Sequence, residues 1–434
     1  MEKLTLKSTN WRNFIPPKDC PRSIEVAKAD AYQWAANRCR EPFISEWKKT
    51  WERLYNEPYR GITTDGHVIP DMHRLAPDGE DHGAPTAEMV KAAQKIFATA
   101  TPQQREVLVR EVDAREWRAW MNPEIYISRH GLRLEEISDE LSDAILGLVQ
   151  TSISPEGYYK AYGCMRINHF LGEVVNGKKV LNVKSYNFTI FGTPSETEPW
   201  GWQMFGHHYD MNCFVIGSQM VVTPVFMGAE PNVIDDGPYK GVELFTDQEQ
   251  TALMLINSMD KETIKRVRIF EKLQGPEYPE WRYHRADQRH LGGAFQDNRV
   301  IPYEGSRVTL FSAAQQELVR RLILLTINYL PEKALAAKMK QVEGQWEETY
   351  FSWIGSFRRE DGFYYKVHSP VIMIEFDHHS GVFLNNALPL PFHIHTLVRT
   401  PNGNDYGKEL LRQYRQKTKA KPENDTRGFS DGRQ

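Results

Sequence analysis

The chain has 434 residues, 40% of them hydrophobic and 26% charged, with a formal net charge of −3. That balance belongs to a globular protein with one large domain or two ordinary ones, and it gives no electrostatic case for binding nucleic acid or an anionic membrane. The four cysteines form no CxxC or zinc-knuckle spacing, the first residues hold no apolar signal region, and no apolar run approaches the ~18 residues of a membrane span, so the expectation is a cytoplasmic protein with reduced thiols.

Residues 1–84 read as irregular, with turn signals at 63–67 and 77–79 and short helices near 23–40 and 45–55. Residues 86–99 look helical. Thr101-Pro102-Gln103-Gln104 opens another helix, with Thr at the N-cap, Pro at N1 and Gln at N3. Leu134, Ile137, Leu141, Ile145 and Leu148 recur at helical spacing. Near residue 180 the pattern changes to alternation, predicting strands over 186–192, 204–216 and 220–227 with a turn at Gly217-Ser218. Thr246-Asp247-Gln248-Glu249 and Ser312-Ala313-Ala314-Gln315 read as capping boxes that open helices. Strand patterns return at 350–354, 363–367, 371–376 and 392–398. A last helix starts at Asn404 or Asp405, and beyond about residue 417 a polar tail reads as disordered. The predicted fold is α+β: a mainly helical N-terminal third packed on a mixed or antiparallel sheet built from middle and C-terminal strands. The predicted organisation is an irregular segment over 1–84, a single domain over 85–416 and a tail over 417–434.

Two histidine clusters carry the chemistry. Gly206-His207-His208-Tyr209-Asp210-Met211-Asn212 and His393-Ile394-His395 both fall in strand-like segments. Residues i and i+2 of a strand face the same way, so His393 and His395 project from one face about 7 Å apart. One of His207 or His208 folded against them completes the three-histidine, open-site arrangement of catalytic metals. Adjacent strand residues point to opposite faces, so only one of that pair is a ligand, and the sequence leaves open which. The competing reading makes these histidines hydrogen-bonded core residues. Glu375 lies in the apolar run 371–376, where a carboxylate is costly unless paired, and Arg399 is the expected partner. Arg399 is also expected to hold an acidic substrate group. Asp405 is expected to cap the last helix, whose N-terminus would favour such a group, and Asn212 joins the candidate catalytic residues. Asp377-His378-His379 reads as a solvated loop. GxSxG, Walker A, HExxH and a strand-flanked GxGxxG are absent, which argues against a serine hydrolase, an NTPase, a zincin or a Rossmann dehydrogenase.

Several motifs then occur in a recognisable order. Phe191-Gly192-Thr193-Pro194-Ser195, Pro199-Trp200-Gly201-Trp202, Gly206-His207-His208 and Thr223-Pro224-Val225-Phe226-Met227-Gly228-Ala229 come first. Tyr364-Tyr365, Ile374-Glu375-Phe376-Asp377, His393-Ile394-His395, Arg399 and Asn404-Asp405-Tyr406-Gly407 follow. In this the chain resembles the domain of unknown function 3500 (DUF3500) family over most of residues 115–416. It departs from the family pattern at Tyr209-Asp210 and in an insertion over residues 377–391. The resemblance implies a shared architecture and a shared site, and no particular reaction. The expectation is a metal-dependent enzyme acting on a small acidic or carbonyl-bearing metabolite, by hydrolase or lyase chemistry. The metal is a divalent ion, Zn or Fe ahead of Mn, Cu or Ni. The alternatives are a non-haem metal oxygenase, a metal-free histidine acid–base enzyme, or a non-catalytic small-molecule binder. A small molecule is the only partner implied, and oligomeric state is not legible.

Overall fold

Asp30 divides what reads as one helix near residues 23–40. In the computed structural model, which describes residues 10–77 and 79–420, α1 spans Pro21–Lys28 and α2 spans Ala31–Arg38. Asp30 caps α2 in a reciprocal box with Gln33. Next come α3 (Pro42–Asn56), α4 (Thr86–Thr99) and α5 (Pro102–Leu108), the last opened by the Thr101–Gln104 box. The helix expected from Leu134 begins five residues later: Leu134–Glu136 is a 3-10 turn, and Ser138 caps α6 (Asp139–Ser152). Sequence periodicity gives no sign of α7 (Pro155–Val174). This helix is buried on several sides, so it has no clean apolar stripe to detect. α8 (Thr246–Asn257), α9 (Lys261–Val267), α10 (Ala313–Ile327), α11 (Glu332–Glu343) and α12 (Lys408–Ala420) complete the helices. The Ser312–Gln315 box forms at α10. At α8 it does not: Phe245, at φ 70°, is the N-cap, and the Thr246 hydroxyl donates to Glu243. α12 runs past residue 417, with Lys417 and Lys419 at its C-terminal end, where cations suit the helix dipole. The rest of the expected tail, 421–434, lies outside the described residues.

The strands are β1 (Val109–Arg110), β2 (Leu132–Arg133), β3 (Tyr186–Phe191), β4 (Trp200–Gly206), β5 (Tyr209–Ile216), β6 (Gln219–Ala229), β7 (Arg268–Phe270), β8 (Ser306–Arg307), β9 (Tyr350–Gly355), β10 (Phe363–His368), β11 (Met373–His378) and β12 (Ile394–Arg399). They form one mixed sheet in the order β1-β3-β4-β5-β6-β12-β11-β10-β9-β7, with β2 on β3 and β8 on β9. Antiparallel pairing of β6 with β12, which sets Gly228 opposite His395, joins the middle and C-terminal groups.

The two faces of this sheet differ. Phe188, Trp202, Met211, Val225, Ile374, Tyr365 and Val398 build the main apolar core with α4, α6, α7, α8 and α10. The opposite face carries Gln203, Asp210, Asn212, His395, Arg399, Glu375, Asp377, Lys366 and His368, all buried. It is covered by α2 and α3, whose Trp47 and Trp51 join Phe226, Leu397 and Phe295 in one apolar cluster, and by the chain around Arg289–Phe295. A buried polar face is costly unless its groups find partners, and its alternation with an apolar face is the period-2 pattern of an ordinary exposed sheet.

Candidate metal centre

Gly206 pairs with Tyr209, so His207 and His208 are the two-residue turn between β4 and β5 and do not lie within one strand. The apolar alternation of 204–216 runs through this turn without an Asn-Gly signal, which is why it reads as continuous strand. His208 sits at φ 61°, a left-handed conformation that costs a side-chain-bearing residue roughly 1–2 kcal/mol. Its amide donates to the Asn122 carbonyl at 3.1 Å, and its own carbonyl accepts from Gly228 at 2.8 Å. Gly228 leaves room for the rings: a Cβ there would lie 3.0 Å from His395 Cδ2 and 3.2 Å from His208 Cδ2.

The turn aims His208 at the HxH pair. Its Nε2 lies 3.3 Å from His393 Nε2 and 3.2 Å from His395 Nε2, and those two are 3.0 Å apart. A tetrahedral ion with bonds of about 2.0–2.1 Å holds nitrogen ligands about 3.3–3.4 Å apart, so the set is close to the size one ion requires. The three side chains are 3%, 0% and 6% exposed. Burial pushes all three imidazoles down, His393 to about 3, so they stay neutral with lone pairs available. Among the described residues these Nε2 atoms meet no hydrogen-bond partner except one another.

His207 is the supporting member of its pair. It stacks on His208 at 3.9 Å between ring centroids, and its Nδ1 bonds Asn168 of α7 at 2.8 Å. His379, expected in a solvated loop, is buried with its ring 4.4 Å from that of His395. Its two nitrogens face the carbonyls of Ser380 (2.9 Å) and Ala286 (3.0 Å). Burial pushes it to about 3, so the neutral ring can donate to only one of them. Asp377 is equally buried, in a bidentate pair with Arg289, and His378 accepts the Phe363 amide and faces Glu249.

Glu375 and Arg399 are both buried but do not pair. Register sets Met373, not Glu375, opposite Arg399. Glu375 accepts from the Tyr364 hydroxyl (2.7 Å) and the amides of Leu291 (2.9 Å) and Gly292 (2.9 Å), and its Oε2 lies 3.7 Å from His290 Nδ1. Burial alone would raise its pKa, but His290, Tyr364 and the Gly292 amide outweigh burial and hold it well below the usual carboxylate range. Burial pulls His290 down, yet Glu375 leaves it raised. At 3.7 Å that contact is electrostatic, since a hydrogen bond needs about 2.7–3.2 Å. The His290 ring stands 5.8 Å from that of His395, with neither nitrogen hydrogen-bonded among the described residues.

Arg399 donates to Asp405 (2.7 Å), Asp297 (2.6 Å) and the Gly292 carbonyl (2.7 Å). With these donors engaged inside the protein it has no free fork for a substrate acid, contrary to expectation. Asp405 does not cap α12: its carboxylate takes Arg399 and the Thr400 amide. Asn212 is spent on Asp210, the Pro224 carbonyl and Gln203, away from the triad. Sequence reasoning missed His290, Glu230 and the role of Gly228, and it placed His379 in a solvated loop. His290 and Glu230 lie outside regular elements, where spacing carries no orientation.

These features define an α+β protein whose sheet buries a three-imidazole centre where its two halves join. The chain belongs to the family described as protein of unknown function (DUF3500), whose sequence model matches residues 82–408. No curated protein and no solved structure matches the chain. Among the described residues, no helix is long and apolar enough to cross a membrane.

Proposed function

We propose that the protein is a metal-dependent enzyme acting on a small organic molecule, with a divalent ion, Zn or Fe ahead of Mn, Cu or Ni, held by His208, His393 and His395. The observation that carries this reading is the convergence of three buried, neutral Nε2 atoms within 3.3 Å of one another. Three nitrogen ligands leave coordination positions open, and an ion so held supplies Lewis acidity and an acidified water. Hydrolase or lyase chemistry fits that role. His290, with Glu375 behind it, is placed to hold or move a proton beside the centre. Arg399 and Asp405 have no part in substrate recognition on this reading, so the acidic substrate group expected from them loses its anchor. The substrate is a carbonyl-bearing or otherwise polar small molecule, with no nucleic-acid or membrane partner. The four free cysteines suit a cytoplasmic setting.

The His290–Glu375 arrangement favours a second reading, a metal-free acid–base enzyme. Elemental analysis of the purified protein separates the two. One equivalent of a transition metal, lost in His208→Ala and in His395→Ala, supports the first. A parent that carries no metal, and takes up none of Zn, Fe, Mn, Cu or Ni, overturns it.

A further inference from the structure

Residues 380–391, the roof segment, run between His379, whose ring lies 4.4 Å from that of His395, and His393 itself, and this loop is tied to the centre through Glu230. That residue follows β6 directly and is fully buried. Its carboxylate accepts the backbone amides of Val382 (2.9 Å), Phe383 (3.2 Å) and Leu384 (3.0 Å). Its Oε1 also lies 3.7 Å from His393 Nδ1, a buried nitrogen without a hydrogen-bond partner among the described residues. The His393 backbone is fastened into the same loop. Its amide donates to the Leu390 carbonyl at 3.1 Å, and its carbonyl accepts from His379 at 2.8 Å. On the outer side of the loop, the Phe383 ring meets Trp34 of α2 at 6.1 Å. On the inner side it meets His207 at 5.8 Å.

Resting on the reading of the triad as a metal centre, we propose that Glu230 is a positioning residue that couples metal occupancy to closure of the 380–391 roof. Ligation through Nε2 fixes the His393 proton on Nδ1, the nitrogen that faces Glu230. The present separation is about half an ångström beyond a hydrogen bond, so a small rotation of the ring closes it. An imidazole on a cation is the stronger donor, and a charge-assisted bond is roughly twice a neutral one. The carboxylate therefore holds the roof and the ligand together: opening the roof removes three of its donors and frees the group that orients His393. The three ligands are buried, so admitting a substrate needs an element that moves, and the coupling makes the closed state of this loop the one with a well-held ion.

The experiment is amide hydrogen exchange on the full chain with and without saturating zinc, alongside zinc affinity for the parent and Glu230→Gln. The glutamine keeps one acceptor oxygen but turns an N–H group toward donors. Zinc is expected to slow exchange of the Val382, Phe383 and Leu384 amides in the parent by about tenfold or more. Glu230→Gln is expected to lose that protection and to bind zinc ~10–100-fold more weakly. Stoichiometric zinc binding that leaves these amides unchanged, or a variant that binds zinc as tightly as the parent, overturns the coupling and leaves the metal reading intact. A parent that binds no zinc overturns both. If the variant does not fold, the parent comparison alone decides.

Discussion

Replacing His395 with Ala separates a ligand from a structural histidine. Among the described residues its Nε2 meets two other imidazole nitrogens, at 3.0 and 3.2 Å, and these lie 3.3 Å from each other, so each keeps a partner when His395 is deleted. What is lost is packing against Phe226 and His379, whose rings lie 5.0 and 4.4 Å away. The space is polar enough to take water, so the cost is about 1–2 kcal/mol. For a chain of 434 residues, an unfolding entropy of about 2.1 cal/mol/K per residue makes this a drop of about 1–2 °C. Zinc at about 100 times its Kd adds about 2.7 kcal/mol to a protein that binds it only when folded, a rise of about 3 °C. Scanning calorimetry with chelator and with zinc is the assay. Parent and variant should melt within about 2 °C of each other in chelator, and only the parent should rise with zinc. A variant that melts far earlier in chelator, from a parent insensitive to every divalent metal tried, would show that these histidines belong to the core and hold no ion.

Gly228→Ala places a methyl group 3.0 Å from His395 Cδ2 and from the Ile394 carbonyl; the rings must shift, so metal affinity should fall by about tenfold or more with the sheet intact, as titration and circular dichroism together will show. Unchanged affinity would mean the rings have slack. Arg399→Met leaves Asp405 buried without its cation and Asp297 with Arg118 alone and should cost about 3–5 kcal/mol in denaturant melts while metal stoichiometry holds; a variant of normal stability that has lost only substrate affinity would restore Arg399 as a substrate anchor. Stability should also fall with acid. Burial pushes His73 and His130 to about 4, and His379 and His393 to about 3, whereas unfolded imidazoles take protons near about 6.5. The unfolded state therefore binds more protons below that pH, and melting temperature should decline from about pH 6.5 downward while staying level above 7 on this account. A flat profile from pH 8 to 5 would contradict these burials.

Much of the fold is readable because local rules agree with the global result. The Thr101 and Ser312 boxes form as their spacing predicts, and the alternation of β10, β11 and β12 reports strands directly. The site was legible where spacing carries geometry: His393 and His395 do converge, although β12 begins at Ile394 and His393 sits in the bend just before it. It failed where orientation depends on a turn or on pairing. No local cue marks His207-His208 as a hairpin turn, so the choice between the two rings could not be made from spacing. The Glu375–Arg399 pair failed for a related reason. Each residue does need a partner, but the β11–β12 register, which sets Glu375 opposite Leu397 and Met373 opposite Arg399, is visible only in the assembled sheet. The Gly292 peptide instead gives its amide to one and its carbonyl to the other.

The polar side of the sheet is completed by chain that the family match does not include. Matched sequence begins at residue 82, yet Ile44, Trp47 and Trp51 share one apolar cluster with Phe226 and Leu397, and Trp51 stacks on Phe295. Arg118 spends two donors on the carbonyls of Glu57 and Leu54, and Thr63 bridges to Val300. These residues occupy the place another subunit would take in an oligomer, except that a tether of some twenty residues supplies them at a fixed high effective concentration. A fragment confined to 82–408 would then behave as one half of a dissociated complex, with aromatic rings and half-satisfied arginines facing water. Residues 31–63 supplied as a separate peptide would act as its missing partner, and the affinity of that peptide would measure how much of the buried face the tether normally secures.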